Sequence, residues 1–120
     1  METSVKKKRS RLIAQRGSEN FALRLEDIAF FYTENKIVFV IDCLGKKYIC
    51  DKNLSELEEE LDKNTFFRAN RQFIINVNFI RGFRIYEKVK LQVDMIISHN
   101  HPIIISQEMS PVFKKWINEV

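Results

Sequence analysis

The stretch Phe66-Phe67-Arg68-Ala69-Asn70-Arg71-Gln72-Phe73-Ile74-Ile75-Asn76 constrains this chain more than any other. An aromatic pair and a second apolar run flank a polar, cationic interval, so two extended segments should bracket a short exposed turn. That layout presents Asn70, Arg71 and Gln72 outward. These side-chain types contact base edges and phosphates in a duplex, Arg to guanine and Asn or Gln to adenine. An ordinary hairpin with a polar turn accounts for the same residues equally well, and the rest of the chain has to decide between the two.

At 120 residues, 45% of them apolar and ten of them Phe, the chain is expected to be one folded domain with a modest core. No apolar run approaches the length of a membrane span, and the N-terminus lacks a signal peptide's apolar stretch, so a cytoplasmic protein without membrane contact is expected. In that setting Cys43 and Cys50, on either side of the turn Leu44-Gly45-Lys46-Lys47, should be free, partly buried thiols. Two Cys and two His do not reproduce a zinc-site spacing, and no metal is expected.

Charge is segregated. Residues 1–12 carry Lys6, Lys7, Lys8, Arg9 and Arg11 against Glu2, which equals the whole net charge of +4. Further on, Asp51, Glu56, Glu58, Glu59, Glu60 and Asp62 stand against Lys52, whereas residues 63–90 hold seven bases against Glu87. One pole therefore suits phosphates and the other repels them. The acidic run reads as the solvated face of a helix, directed away from any nucleic acid.

In chain order, residues 1–10 lack apolar periodicity and read as a basic linker or tail, leaving residues 11–120 as the domain. Strands are expected at Arg11 to Gln15 and Asn20 to Leu25, around Gly17-Ser18, then at Ala29 to Thr33 after one helical turn. Glu34-Asn35-Lys36 is a polar tip before Ile37 to Cys43, which turns at Gly45 into Lys47 to Asp51. Asn53 with Glu56 forms a capping-box pair for a helix whose Leu54, Leu57 and Leu61 share one side. Strands follow at Asn78 to Tyr86, with Gly82 marking a bulge or a close backbone approach, and at Lys88 to Val93. Ser98-His99-Asn100-His101-Pro102 is a turn whose histidines are expected at the surface. Ile103-Ile104-Ile105 is a short buried strand. Ser106 or Ser110 caps a last helix with Pro111 in its first turn and Val112, Phe113, Trp116 and Ile117 on its apolar side.

The expected fold is thus mainly β, small antiparallel sheets with one or two short α-helices. No nucleophile–base set, phosphate-cradling Gly loop or metal cluster is evident, so neither an enzyme nor a cofactor nor a small-molecule substrate is expected. Phe66, Phe67, Arg68, Asn70, Arg71, Phe73, Ile74, Ile75 and Asn76 together resemble the signature of the bacterial LytTR-type DNA-binding domain. Its pattern is two aromatics, Arg, a small residue, His or Asn, a polar or basic residue, then apolar residues and Asn. The resemblance runs from Leu25 to Trp116, through Asp27-Ile28-Ala29-Phe30-Phe31 upstream and Ile105-Ser106-Gln107 downstream.

That resemblance implies a mainly β domain of elongated shape and sequence-specific binding of double-stranded DNA in transcriptional regulation, by loops inserted into the major groove. It makes Asn35 and Lys36 a DNA-facing tip beside Asn70, Arg71 and Gln72, with Arg68 as a further candidate that could instead form a structural ion pair. In such domains a basic residue commonly follows the serine matching Ser106. Here that position is Gln107, with Glu108 next, and Gln107 can still bond a base or phosphate. The resemblance also implies the output domain of a two-component response regulator, dimeric on direct repeats when joined to a receiver, and the lead-in here has no room for one. Two other classes fit the strands and charges: an OB-like module for RNA or single strands, which would stack bases on exposed aromatics, and a protein-interaction β-domain, whose binding would lack steep salt dependence.

Overall fold

A computed structural model describes residues 10–120; the linker or tail read at residues 1–10 lies outside the described residues except for Ser10. Ten strands and two helices follow. They are β1 (Arg11–Arg16), β2 (Glu19–Arg24), β3 (Ile28–Glu34), β4 (Ile37–Asp42), β5 (Lys47–Cys50), α1 (Leu54–Glu60), β6 (Phe66–Arg68), β7 (Phe73–Asn76), β8 (Ile80–Tyr86), β9 (Lys90–Met95), β10 (Ile103–Ile105) and α2 (Ser110–Glu119). The strands collect in an antiparallel sheet of order β2-β1-β5-β4-β3-β7-β6 and a three-stranded one of order β10-β9-β8. Single 3-10 turns at Leu25–Asp27 and Val77–Phe79 lead into β3 and β8.

Burial explains the sequence pattern. β1 alternates, with Leu12 and Ala14 inside and Arg11 and Ile13 outside, because only one face of the large sheet is covered there. β3 is buried from Ile28 to Tyr32 without a break because both faces of the sheet are covered at its centre. Neighbouring residues then serve opposite cores. Phe31, Ile74 and Phe66 join Leu12, Val40 and the leucines Leu54, Leu57 and Leu61 of α1 on one side. Phe30, Ile75, Phe67 and Phe73 join the three-stranded sheet and Phe113 of α2 on the other. Each fully buried side chain of this size contributes roughly 1.5–3 kcal/mol. The strands on either side of the Ala69–Gln72 loop are therefore fixed from both faces.

Local signals place the remaining elements. Asn53 accepts a hydrogen bond from the Glu56 backbone N–H while the Glu56 carboxylate accepts one from the Asn53 N–H, closing the capping box that starts α1. Pairing of β8 with β9 shifts between Ile80 and Gly82, the bulge expected there. Three expectations need correction. His99 is half-buried, its ring packed against Phe30, Tyr32 and Phe73, because the loop between β9 and β10 folds back over the large sheet. Neither serine caps α2: Met109 holds the cap position, Ser106 accepts a bond from the Met109 N–H in the preceding turn, and the Ser110 hydroxyl donates to the Ser106 carbonyl. Val112 faces solvent, and Phe113 with the half-buried Trp116 forms the inner side of α2, fixed by a 2.7 Å bond from Trp116 Nε1 to the Lys63 carbonyl.

Candidate nucleic-acid interface

The β6–β7 loop is built by two of its own side chains. Asn70 Oδ1 accepts from the backbone N–H groups of Gln72 at 2.7 Å and Phe73 at 3.0 Å, an Asx turn that sets the loop's curvature. Its Nδ2 donates to the Ile104 carbonyl at 2.8 Å, tying the loop to β10. Arg68 closes the other side: Nε donates to the Asn70 carbonyl at 2.7 Å and one terminal nitrogen to the Arg71 carbonyl at 3.0 Å. Its other terminal nitrogen meets the Glu58 carboxylate of α1 at 3.1 Å.

This arrangement corrects the expected outward display of Asn70. Its amide is turned into the loop because two N–H groups at a tight bend need an acceptor. Arg68 likewise has its guanidinium engaged by two carbonyls and a carboxylate, so of the two roles open to it the structural one describes the geometry. Glu58 is the residue that the sequence reading missed. It had been placed on a solvated face remote from function, yet it pairs with the arginine that shapes the loop. No sequence signal joins a helix position to a strand position ten residues later.

What remains free is Arg71. Its side chain is exposed, and its guanidinium has no partner among the described residues. Gln72 beside it is half-buried, with its carbonyl accepting from the Thr33 N–H at 3.0 Å. That bond fastens the loop to the β3–β4 tip. There Asn35 (φ 52°) and Lys36 (φ 67°) are both left-handed and both exposed, the geometry of a two-residue hairpin turn that matches strand twist. Lys36 and Arg71 consequently line one open cleft together with Arg68 and Lys52. Two cations from different hairpins thus face one space, which Asp51 also lines, with no carboxylate pairing either among the described residues. Gln107 lies elsewhere, exposed in the turn between β10 and α2, and Asn70 links that turn to the loop through Ile104.

Tyr32, Phe73 and His99 pack ring against ring, with Tyr32 and Phe73 in the core on the other face of the large sheet from the cleft's buried lining of Val38, Cys50 and Leu54. Burial lowers the His99 pKa from its ordinary 6.5, so the neutral ring is the packed form. Among the described residues no group of three or more His, Cys, Asp or Glu is arranged to hold a metal ion, and no helix is long and apolar enough to cross a membrane. Both cysteines are free, Cys43 exposed and Cys50 buried.

Loops carrying unpaired cations, held on a two-core β scaffold, are what a DNA-binding module of the loop-reading kind requires. Residues 18–118 match the LytTr DNA-binding domain family, and the chain belongs to that family. It is 24% identical over 99 residues to the transcriptional regulatory protein NatR of Bacillus subtilis (strain 168), an alignment covering 82% of this chain and 42% of that protein. The chain thus spans less than half the length of that curated relative. Its fold is that of the LytTr DNA-binding domain of a methyl-accepting/DNA response regulator from Bacillus cereus, with a TM-score of 0.79 at 20% identity, covering 91% of this chain and 97% of that one. The function that follows from family membership is DNA binding.

Proposed function

We propose that this domain binds double-stranded DNA in a sequence-specific way, with Arg71 reading a base and Lys36 holding adjacent phosphate. The observation that carries the reading is the convergence of Lys36 and Arg71 on one cleft, each on a tip whose backbone is fixed independently of the ligand. Preorganisation of this kind lowers the entropic cost of placing a guanidinium against a guanine edge. Gln72 and Asn35 flank the two cations, and Gln107 offers an uncharged contact from the β10–α2 turn. Asn70 and Arg68 act one step back, as the residues that shape the loop.

The domain's place in a larger protein follows the relatives: NatR is a transcriptional regulatory protein more than twice the length of the matched region, and the Bacillus cereus domain belongs to a response regulator. We extend the proposal to the output part of a cytoplasmic response regulator, acting on direct repeats as a dimer when joined to a receiver; the relatives' names support its response-regulator part. Selection of bound duplexes from a random pool tests the reading, followed by titration of the winner against a scrambled duplex at roughly 50 and 200 mM salt. A recovered motif with affinity falling by orders of magnitude over that range is expected. Random recovered sequences, or affinity indifferent to salt, would remove it.

A further inference from the structure

We infer that the β8–β9 turn, Glu87-Lys88-Val89, is an additional DNA-contacting element in which Lys88 binds a backbone phosphate beside the Ser106–Gln107 turn. The inference rests on the DNA-binding reading above and extends its footprint.

Backbone geometry is the first observation. Among the described residues four that are not glycine have positive φ, and they form two pairs: Asn35 and Lys36 at 52° and 67°, Glu87 and Lys88 at 49° and 71°. The two turns share one conformation and both put a lysine second. Left-handed backbone costs L-residues roughly 1–2 kcal/mol each, and Asn is tolerated there far better than Glu or Lys. A hairpin built for stability alone would carry Asn-Gly at this position. A lysine kept there points to a use for its charge.

Connectivity is the second. Thr33 N–H bonds to the Gln72 carbonyl, joining the β3–β4 tip to the signature loop. Asn70 then bonds to the Ile104 carbonyl of β10. Ile105 pairs with Leu91 of β9, one residue from Lys90, which pairs with Tyr86 across the turn. Ser110, at the start of α2, reaches the Val89 carbonyl at 3.5 Å. Hydrogen bonds and strand pairing thus link in turn the segments that carry Lys36, Arg71, Gln107 and Lys88.

Electrostatics is the third. Lys90 pairs with Glu87 at 3.2 Å, which neutralises the turn's own carboxylate and leaves the exposed Lys88 ammonium with no partner among the described residues. Glu108, also exposed, is the carboxylate on the neighbouring turn, and Lys88 is the unpaired cation of the β8–β9 turn.

The test is titration of a selected duplex and a scrambled one across a salt series with wild type, Lys88→Gly, Lys88→Arg and, as a lysine on the distant β4–β5 turn, Lys46→Gly. Gly keeps the left-handed backbone, so the variant removes charge without straining the fold, and thermal melting of each variant verifies this. Lys88→Gly should weaken both duplexes by the same factor and flatten the slope of log K against log salt by about one. Lys88→Arg should restore both values, and Lys46→Gly should leave them at wild type. If wild type binds steeply while folded Lys88→Gly matches it in affinity and slope, the turn is not a contact. A loss confined to the selected duplex would make Lys88 a base reader and overturn the phosphate assignment. Failure of wild type to bind any duplex would instead remove the underlying DNA reading.

Discussion

The signature loop and the β3–β4 tip present two of the cleft's cations, Arg71 and Lys36, by opposite means. At the loop, side chains do the shaping: Asn70 closes the bend and pins it to β10, while Arg68 grips two carbonyls and is itself held by Glu58. At the tip, the backbone alone does it, through two left-handed residues between paired strands. The difference separates coding of shape from coding of contact. In the loop, shape depends on which residues stand at 68 and 70, and only Arg71 is left for a ligand. In the tip, shape depends on the number of residues, and both are left for a ligand.

Asn70→Ala breaks this distinction most severely, since it removes one acceptor from two N–H groups and the donor to Ile104. At about 1 kcal/mol for each bond, and more for groups left unpaired, a loss of about 3 kcal/mol in chemical denaturation is expected, together with loss of duplex affinity. Unchanged stability would mean that the loop holds its shape without the Asx turn. Arg71→Ala should do the reverse, altering stability by less than about 0.5 kcal/mol while specific affinity falls by about 1–3 kcal/mol and preference relaxes at one base position. Equal weakening of selected and scrambled duplexes would reassign Arg71 to phosphate.

Lys36→Gly sharpens the contrast from the other side. It should stabilise the fold by about 1 kcal/mol, because Gly occupies the left-handed region freely, and yet bind duplexes more weakly. A destabilised Lys36→Gly would show that the tip has side-chain bracing after all. Glu58→Gln should cost less, about 0.5 kcal/mol, since the Glu58 side chain is 47% exposed and such pairs are screened. Its diagnostic feature is that the cost vanishes in an Arg68→Ala background, measured as a double-mutant cycle.

The smallest effect expected is in pH. The folded His99 pKa lies below 6.5, so between those two values the unfolded chain binds the extra proton and stability declines as pH falls, regained on returning above 6.5. Burial is the main cause; His101 and Lys47 act in the same direction electrostatically, and Glu34 opposes them. In His99→Phe that slope should disappear, and retention of it would place the titration elsewhere.

Locality decides how much of this was legible in the sequence. The capping box at Asn53 and Glu56, the turn at Asn35-Lys36 and the bulge at Gly82 each depend on residues a few positions apart, and the spacing revealed them. The strands of the signature were legible because aromatic and β-branched residues mark them, and Arg71 was correctly read as exposed. The inward turn of Asn70 was not, because its partner at Ile104 lies 34 residues on and is a carbonyl, a group every residue possesses. His99 escaped for a similar reason. Its two neighbours in sequence are polar, and the rings that bury it come from β3 and β7. Glu58 stood in a run of glutamates with nothing to distinguish it from Glu59 and Glu60.

The bond from Asn70 to Ile104 also sets an order of events in folding. Closing a loop of that length has an entropic cost that nearby contacts must offset first, so the signature hairpin can zip from Phe66 to Asn76 while its tip is still unpinned. The bend acquires its final support only when β10 docks, after residues nearly to the C-terminal helix have been made. A chain emerging during synthesis therefore lacks a finished signature loop until the second sheet has assembled. With the site proposed for Arg71, competence to bind DNA becomes a late milestone, reached only by chains that have completed the fold.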